Sequence, residues 1–233
     1  MNQSGKDREW VSALTGEMLL FGLLGKILYE EPDKGSLQPL LDNDIFSEAP
    51  LGRSRTEVVQ GLSLLKRWDH QNRSSLTDQT IKTLKQDYTR LFIGLGQILA
   101  PPWESVYFSE ERLVFQEQTL RVRTWYRRFN LEPEKLHREP DDHIGLEFTF
   151  LSHLAYLGLA ALEDGDQEEF QITLEAQRQF IMEHPLKWVS IWANRVEQHA
   201  QTDFYRGIGF LTKGALLEMA SILNLEIPTE VQW

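Results

Sequence analysis

Apolar residues in this chain recur with the period of a helix, and that recurrence constrains its fold more than any other feature. Ile81, Leu84, Tyr88, Leu91 and Phe92 fall at i, i+3, i+7, i+10 and i+11, the spacing that lines one helical face. The same period runs through 9–30, 56–68, 110–129, 142–163, 166–183, 186–199 and 204–223, and no segment alternates convincingly at period two. With 233 residues, 41% of them hydrophobic, the chain can bury one substantial core. It shows no fixed-period repeat and no low-complexity linker. The pattern predicts an all-α fold: a single compact domain of about eight to ten helices over 1–233, with 1–8 as a flexible N-terminal extension. Ser109, followed by Glu110 and Glu111, is expected to cap one helix, Asp203 another, and Pro140 to occupy a first turn.

The segment 11–28 holds Met18, Leu19, Leu20, Phe21, Leu23 and Leu24, and could pass for a signal peptide. Glu17 and Lys26 interrupt the run, and Glu30 and Glu31 stand where small residues should precede cleavage, so a buried first helix is expected. Thirty-five acidic against twenty-four basic side chains leave a net charge of −11, which disfavours nucleic acid and anionic membranes and favours a cationic partner. The absence of cysteine removes disulfides, thiolate metal sites and cysteine nucleophiles, and fits a reducing compartment.

Between two helical stretches lies 94–109, GLGQILAPPWESVYFS, expected to be exposed or to line a groove. Gly94 and Gly96 permit unusual backbone angles, Pro101 and Pro102 stiffen an extended chain, and Trp103, Tyr107 and Phe108 present large rigid surfaces. Gly94, Leu95 and Gly96 do not form a phosphate loop, since no strand precedes them and no Gly-Lys-Ser/Thr follows. The aromatic loop can equally be core closure. Further along the chain stands Glu139-Pro140-Asp141-Asp142-His143, where His143 and Glu147 are four apart as on one helix face. Two helical ligands plus loop carboxylates or His137 make a weak metal site, so a structural or peptide-contacting role is favoured and no metal or cofactor is expected. A His-Asp pair activating Ser105 lacks a nucleophile elbow. An apolar surface rimmed by negative charge suits an apolar peptide with basic flanks.

Two stretches, DYTRLFIGLGQILAPPWESVY at 87–107 and EPDDHIGLEFTFL at 139–151, resemble the TorD/DmsD/NarJ family of redox-enzyme maturation chaperones. The likeness is carried by Tyr88, Arg90, Leu91, Phe92 and Gly94, by 101–107, by 139–143, and further on by Trp188, Phe204, Tyr205, Leu211 and Thr212. Its Pro-Pro-Trp and Glu-Pro-Asp-Asp-His wording is nearest to the DmsD branch, from which Glu147 and the N-terminal 1–9 depart. The resemblance implies an all-α cytoplasmic chaperone without catalysis. Its expected partners are the twin-arginine leader and apo-form of a molybdenum-containing oxidoreductase, and export or cofactor-insertion machinery, with no nucleic acid and no stable membrane insertion. Such a chaperone aids cofactor insertion and delays export until maturation is complete. The candidate peptide site comprises Leu91, Phe92, Pro101, Pro102, Trp103, Glu104, Ser105, Tyr107, Glu139, Asp141, Asp142, His143 and Glu147. Leu91, Phe92, Pro102, Trp103 and Tyr107 are expected as its apolar floor, and Glu104, Asp141, Asp142, His143 and Glu147 as its charged rim. The alternative is a helical metal-dependent hydrolase using His143 and Glu147.

Overall fold

In the computed structural model the helical stripes pair face to face. The structure describes residues 3–94, 97–108, 111, 113–132 and 139–227. Among these, nine α-helices follow one another: α1 (Gln3–Tyr29), α2 (Lys34–Asp42), α3 (Thr56–Asn72), α4 (Asp78–Tyr88), α5 (Glu117–Arg128), α6 (Ile144–Asp164), α7 (Gln167–Glu183), α8 (Pro185–His199) and α9 (Asp203–Ile222). No strand occurs among the described residues. Short 3₁₀ turns form at Ile45–Ser47 and Glu104–Tyr107, and α4 runs on into a π-turn at Thr89–Ile93. The fold is all-α in one domain, as the periodicity predicts.

Two helix pairs organise the domain, α1 along α6 and α3 along α9, with α7 packed on α6 and α8 on α9. Glycine permits both close approaches. A Cβ on Gly145 would stand 2.8 Å from the Gly25 carbonyl oxygen, and one on Gly61 would stand 2.8 Å from that of Gly207, so neither pair tolerates a side chain there. Phe21 and Phe148 meet across α1 and α6, while Trp192 of α8 and Tyr205 of α9 both pack on Phe92, and Trp188 of α8 packs on Tyr107. Helices α1 and α6 are each long and apolar enough to cross a membrane by length and composition, but their apolar stripes pack on each other. Leu14, Leu20, Phe21, Leu24 and Leu28 are buried, so α1 is the interior helix expected of 11–28.

Several local expectations give way. Helix α1 begins at Gln3, so 3–8 continue the first helix instead of forming a separate flexible extension. Apolar periodicity does not predict α2, because Gly35 and Pro39 weaken its pattern. A reciprocal cap starts it: Asp33 Oδ1 accepts from Ser36 N at 2.9 Å, and Asp33 N donates back to Ser36 Oγ. Helix α5 starts at Glu117, not 110, since Phe115 holds a left-handed φ of 59° that interrupts helical winding. Ser109 and Glu110, proposed as its cap, lie outside the described residues, as do Leu95, Gly96 and His137. At α9 the cap is Thr202, whose Oγ1 accepts from Tyr205 N at 3.2 Å, and Asp203 sits in the first turn. Pro140 stands four residues before α6, its carbonyl accepting from His143 N at 3.2 Å in a turn.

Candidate functional site

The two motif-rich stretches meet. Trp103 and His143 form an isolated antiparallel bridge, with Glu104 N donating to the Asp142 carbonyl (3.0 Å) and Ile144 N donating to that of Pro102 (2.8 Å). Extended backbone at Pro101–Pro102 makes this possible, because proline disfavours helix in the residue before it and leaves the carbonyls free to accept. The strand-like clasp thus fixes the N-terminus of α6 against the loop that follows the π-turn.

Each carboxylate under the clasp has a protein partner. Asp142 Oδ2 accepts from Ser105 N and its Oδ1 from Thr119 Oγ1, both at 2.7 Å. Asp141 is fully buried against Arg123 of α5, with Nε–Oδ2 at 2.6 Å and Nη2–Oδ1 at 3.3 Å. The Asp141 carbonyl accepts from the Tyr126 hydroxyl at 3.0 Å. Glu104 meets His184 Nδ1 at 2.8 Å, both groups buried. Glu147 Oε2 accepts from Trp188 Nε1 at 3.3 Å, while Oε1 has no hydrogen-bond partner among the described residues. Burial pushes the Glu147 carboxyl well above the usual carboxylate range, and the charges of Glu104 and Asp142 push the same way.

This geometry corrects the expected surface. Leu91, Phe92, Glu104, Ser105, Tyr107, Asp141, Asp142, His143 and Glu147 are all at most 4% exposed, and Pro101 and Pro102 are buried with them. The floor faces inward because the π-turn rotates Leu91 and Phe92 into the core, where Phe92 packs on Tyr88, Trp192 and Tyr205. Tyr107 likewise packs on Trp188 and donates its hydroxyl to the Pro101 carbonyl at 2.9 Å. The rim carboxylates face inward because α5 and α8 supply donors beneath them. Only Trp103 and Glu139 remain partly open, joined by Trp103 Nε1 donating to Glu139 Oε1 at 2.7 Å.

His143 and Glu147 do not share a helix face. His143 is the N-cap of α6, with extended backbone and its Nδ1 accepting from Gly145 N at 3.0 Å, while its ring stands edge-on to Tyr29 and Trp103. Among the described residues no group of three His, Asp or Glu side chains could hold a metal ion. Nothing supports the hydrolase alternative.

Four partners escaped the sequence reading: Thr119, Arg123, Tyr126 and His184. The first three lie on α5, whose helical pattern says which face is buried but not what that face meets. His184 precedes Pro185 at the start of α8, a helix-start signal that says nothing of Glu104 eighty residues earlier. Asp87 is a further interior carboxylate: it accepts from Gln201 N, Thr202 N and Thr202 Oγ1 and pairs with Arg90, tying α4 to the α8–α9 turn.

Fold and corner define an all-helical domain in which two loop motifs clasp each other over a buried set of carboxylates. Residues 55–194 match the family described as "Nitrate reductase delta subunit", and the chain belongs to that family, the one that includes TorD, DmsD and NarJ. The chain is 25% identical over 208 residues to a Haemophilus influenzae protein described as a probable Tat proofreading chaperone DmsD, covering 89% of this chain and 91% of that one. It is 26% identical over 214 residues to the Tat proofreading chaperone DmsD of Salmonella typhimurium, covering 90% and 91%. The chaperone protein TorD of Vibrio cholerae serotype O1 is 27% identical over 178 residues, 76% of this chain and 72% of that protein. A solved structure from Archaeoglobus fulgidus, proposed there to be a redox enzyme maturation protein, aligns with a TM-score of 0.44 at 24% identity, covering 85% and 91%.

Proposed function

We propose that this chain is a cytoplasmic maturation chaperone. It binds the twin-arginine leader and the apo-form of a molybdenum-containing oxidoreductase, aids cofactor insertion and delays export until insertion is complete. The observation that carries this is likeness along nine-tenths of both chains to proteins named Tat proofreading chaperones. The clasped corner supports a non-catalytic role, because its acidic groups are spent on holding loops to helices.

The leader contacts the corner at its open lip, Trp103 and Glu139. The buried residues of the candidate site (Leu91, Phe92, Pro101, Pro102, Glu104, Ser105, Tyr107, Asp141, Asp142, His143 and Glu147) act from beneath, by fixing that lip. The Glu139 carboxylate can pair with a leader guanidinium while the Trp103 indole stacks on it. Burying about four aliphatic leader side chains would contribute roughly 6–12 kcal/mol before the cost of ordering the peptide. Affinity near micromolar, about −8 kcal/mol, then allows the client to be released.

Titration calorimetry with a twin-arginine leader peptide at two salt concentrations tests this. Trp103→Ala should weaken binding by about 2 kcal/mol, and Glu139→Gln should matter more at low salt than at high salt. A folded wild-type protein that binds no such leader, or binds it no better than the same peptide with both arginines changed to alanine, would overturn the proposal.

A further inference from the structure

Among the candidate site residues Trp103 alone is apolar and partly open, too little surface for the apolar run of a leader. Elsewhere such a surface exists. Helix α1 turns Leu20, Phe21, Leu24 and Leu28 inward, yet its other side carries a second apolar stripe, Leu19, Leu23 and Ile27, at i, i+4 and i+8. With Leu40 of α2, Ile45 of the 3₁₀ turn and Leu62 of α3, this stripe lines a cleft of two lobes, about 350 and 220 Å³, that share Leu23 and Leu40. Leu19 is 55% and Ile45 40% exposed at its edge. A solvated face would carry polar residues at these positions, so the stripe marks a surface that is covered in use.

We propose that the apolar segment of a twin-arginine leader lies as a short helix in this α1–α2–α3 cleft, with its arginines at the clasped corner. The inference rests on the leader-binding function proposed above and names the place and direction of binding.

Length and charge both favour that occupant. From Ile27 to Leu19 the stripe runs eight residues, about 12 Å at ~1.5 Å per residue, which suits two to three turns of an amphipathic helix docking through i, i+4 and i+7 anchors. The apolar region of an export leader is of that order, about 7–15 residues.

The Ile27 end of the cleft lies beside the end of α1 that packs on the corner. Glu30 lines the second lobe, and Tyr29, one residue before it, packs against His143 at 5.2 Å between ring centres. Burial raises the Tyr88 phenol and the charges of Glu139, Glu31 and Glu30 add to that, while its hydroxyl donates to the Leu28 carbonyl near the end of α1, so the surroundings of that helix end are acidic. Lys26 pairs with Glu30 and Lys85 with Glu31, both in solvent, at 3.9 and 3.3 Å, and among the described residues no cation pairs with Glu139. The leader's basic part meets that end and its apolar part continues along Leu23 towards Leu19. Leader and α1 thus run side by side, the leader's N-terminus beside the C-terminus of α1.

The test uses a synthetic leader with two arginines followed by a ten-residue apolar run, a fluorophore at its end and anisotropy as readout. Leu19→Glu and Ile45→Glu change exposed side chains, so both variants should melt like the wild type. Each is expected to weaken leader binding at least tenfold, whereas Leu120→Glu on α5, also at an exposed leucine, should leave it unchanged. A photoactivatable residue in the middle of the apolar run should crosslink to peptides of α1 or α2. Wild-type affinity in folded Leu19→Glu and Ile45→Glu, with Trp103→Ala still impaired, would overturn the cleft and leave the function standing. Failure of the wild type to bind the leader would remove both. A dimer in size-exclusion chromatography that Leu19→Glu dissociates, with leader affinity unchanged, would assign the cleft to a second copy of the chain and overturn the proposal.

Discussion

The clasped corner and the α1–α2–α3 cleft differ in how the chain treats its own surface. At the corner, distinctive side chains are drawn inward and bound to one another: Asp142 holds Ser105 and Thr119, Asp141 holds Arg123, Glu104 holds His184. Along the cleft, ordinary leucines and isoleucines lie partly open, with no described residue packed over them. A memorable motif therefore marks where the fold is tied, and a bland apolar stripe marks where it stays available. The physical reason is that buried polar groups demand partners in fixed geometry, which restricts residue identity, whereas an apolar surface accepts any aliphatic residue of about the right size.

The largest expected effect belongs to the corner. Asp142→Ala strands the Ser105 amide and the Thr119 hydroxyl in a buried site, at about 1–3 kcal/mol for each unsatisfied group, so urea unfolding should show a loss of about 3 kcal/mol or more. If instead the variant unfolds like the wild type, the corner is not the tie described here.

Next comes the seam between the two regions. Gly145→Ala would place a methyl group 2.8 Å from both the Gly25 carbonyl oxygen and Tyr29 Cβ, prising α1 from α6. Overpacking of this kind costs about 1–3 kcal/mol, and the lower melting temperature should come with weaker leader binding, since Tyr29 links corner and cleft. Loss of stability with affinity intact would sever that link.

A pH effect separates carboxylates whose burial outweighs their hydrogen bonds from those that are fully paired. Burial pushes Glu17, which lies in the core under α7, and Glu147 well above the usual carboxylate range. The folded protein therefore holds these protons more tightly than the unfolded chain does. Their contribution to stability is fully present below the unfolded value of about 4.3 and is lost as pH rises through the raised folded values. Glu17→Gln and Glu147→Gln should flatten the fall of melting temperature between pH 5 and pH 8. A slope as steep as that of the wild type in both variants would show that neither carboxyl is the source.

The smallest change is expected in the cleft. Leu19→Ser removes a half-exposed side chain and should alter unfolding free energy by about 0.5 kcal/mol or less. A cost of several kcal/mol would make the stripe part of the core and erase the contrast with the corner.

The sequence by itself determined most of the helical elements, α2 excepted, and the family. Stripes such as Ile81–Leu84–Tyr88 follow from local periodicity, and the two motif-rich stretches, with their order and spacing, identify the family without any knowledge of which residues touch. It also marked 101–107 and 139–143 as special, because unusual residues there needed a common explanation. Only the tertiary structure decided which way these residues face. Periodicity near Leu91 and Phe92 gives a stripe, yet the π-turn sets its rotation, and the donors that draw Asp141, Asp142 and Glu104 inward come from α5 and α8, up to eighty residues away. The same holds for α1: its sequence is apolar on two sides, and apolar periodicity does not distinguish the side that α6 covers from the side left as a cleft. That choice follows from the meeting of Gly25 with Gly145 of a distant helix, which lets the α1 and α6 backbones come together there.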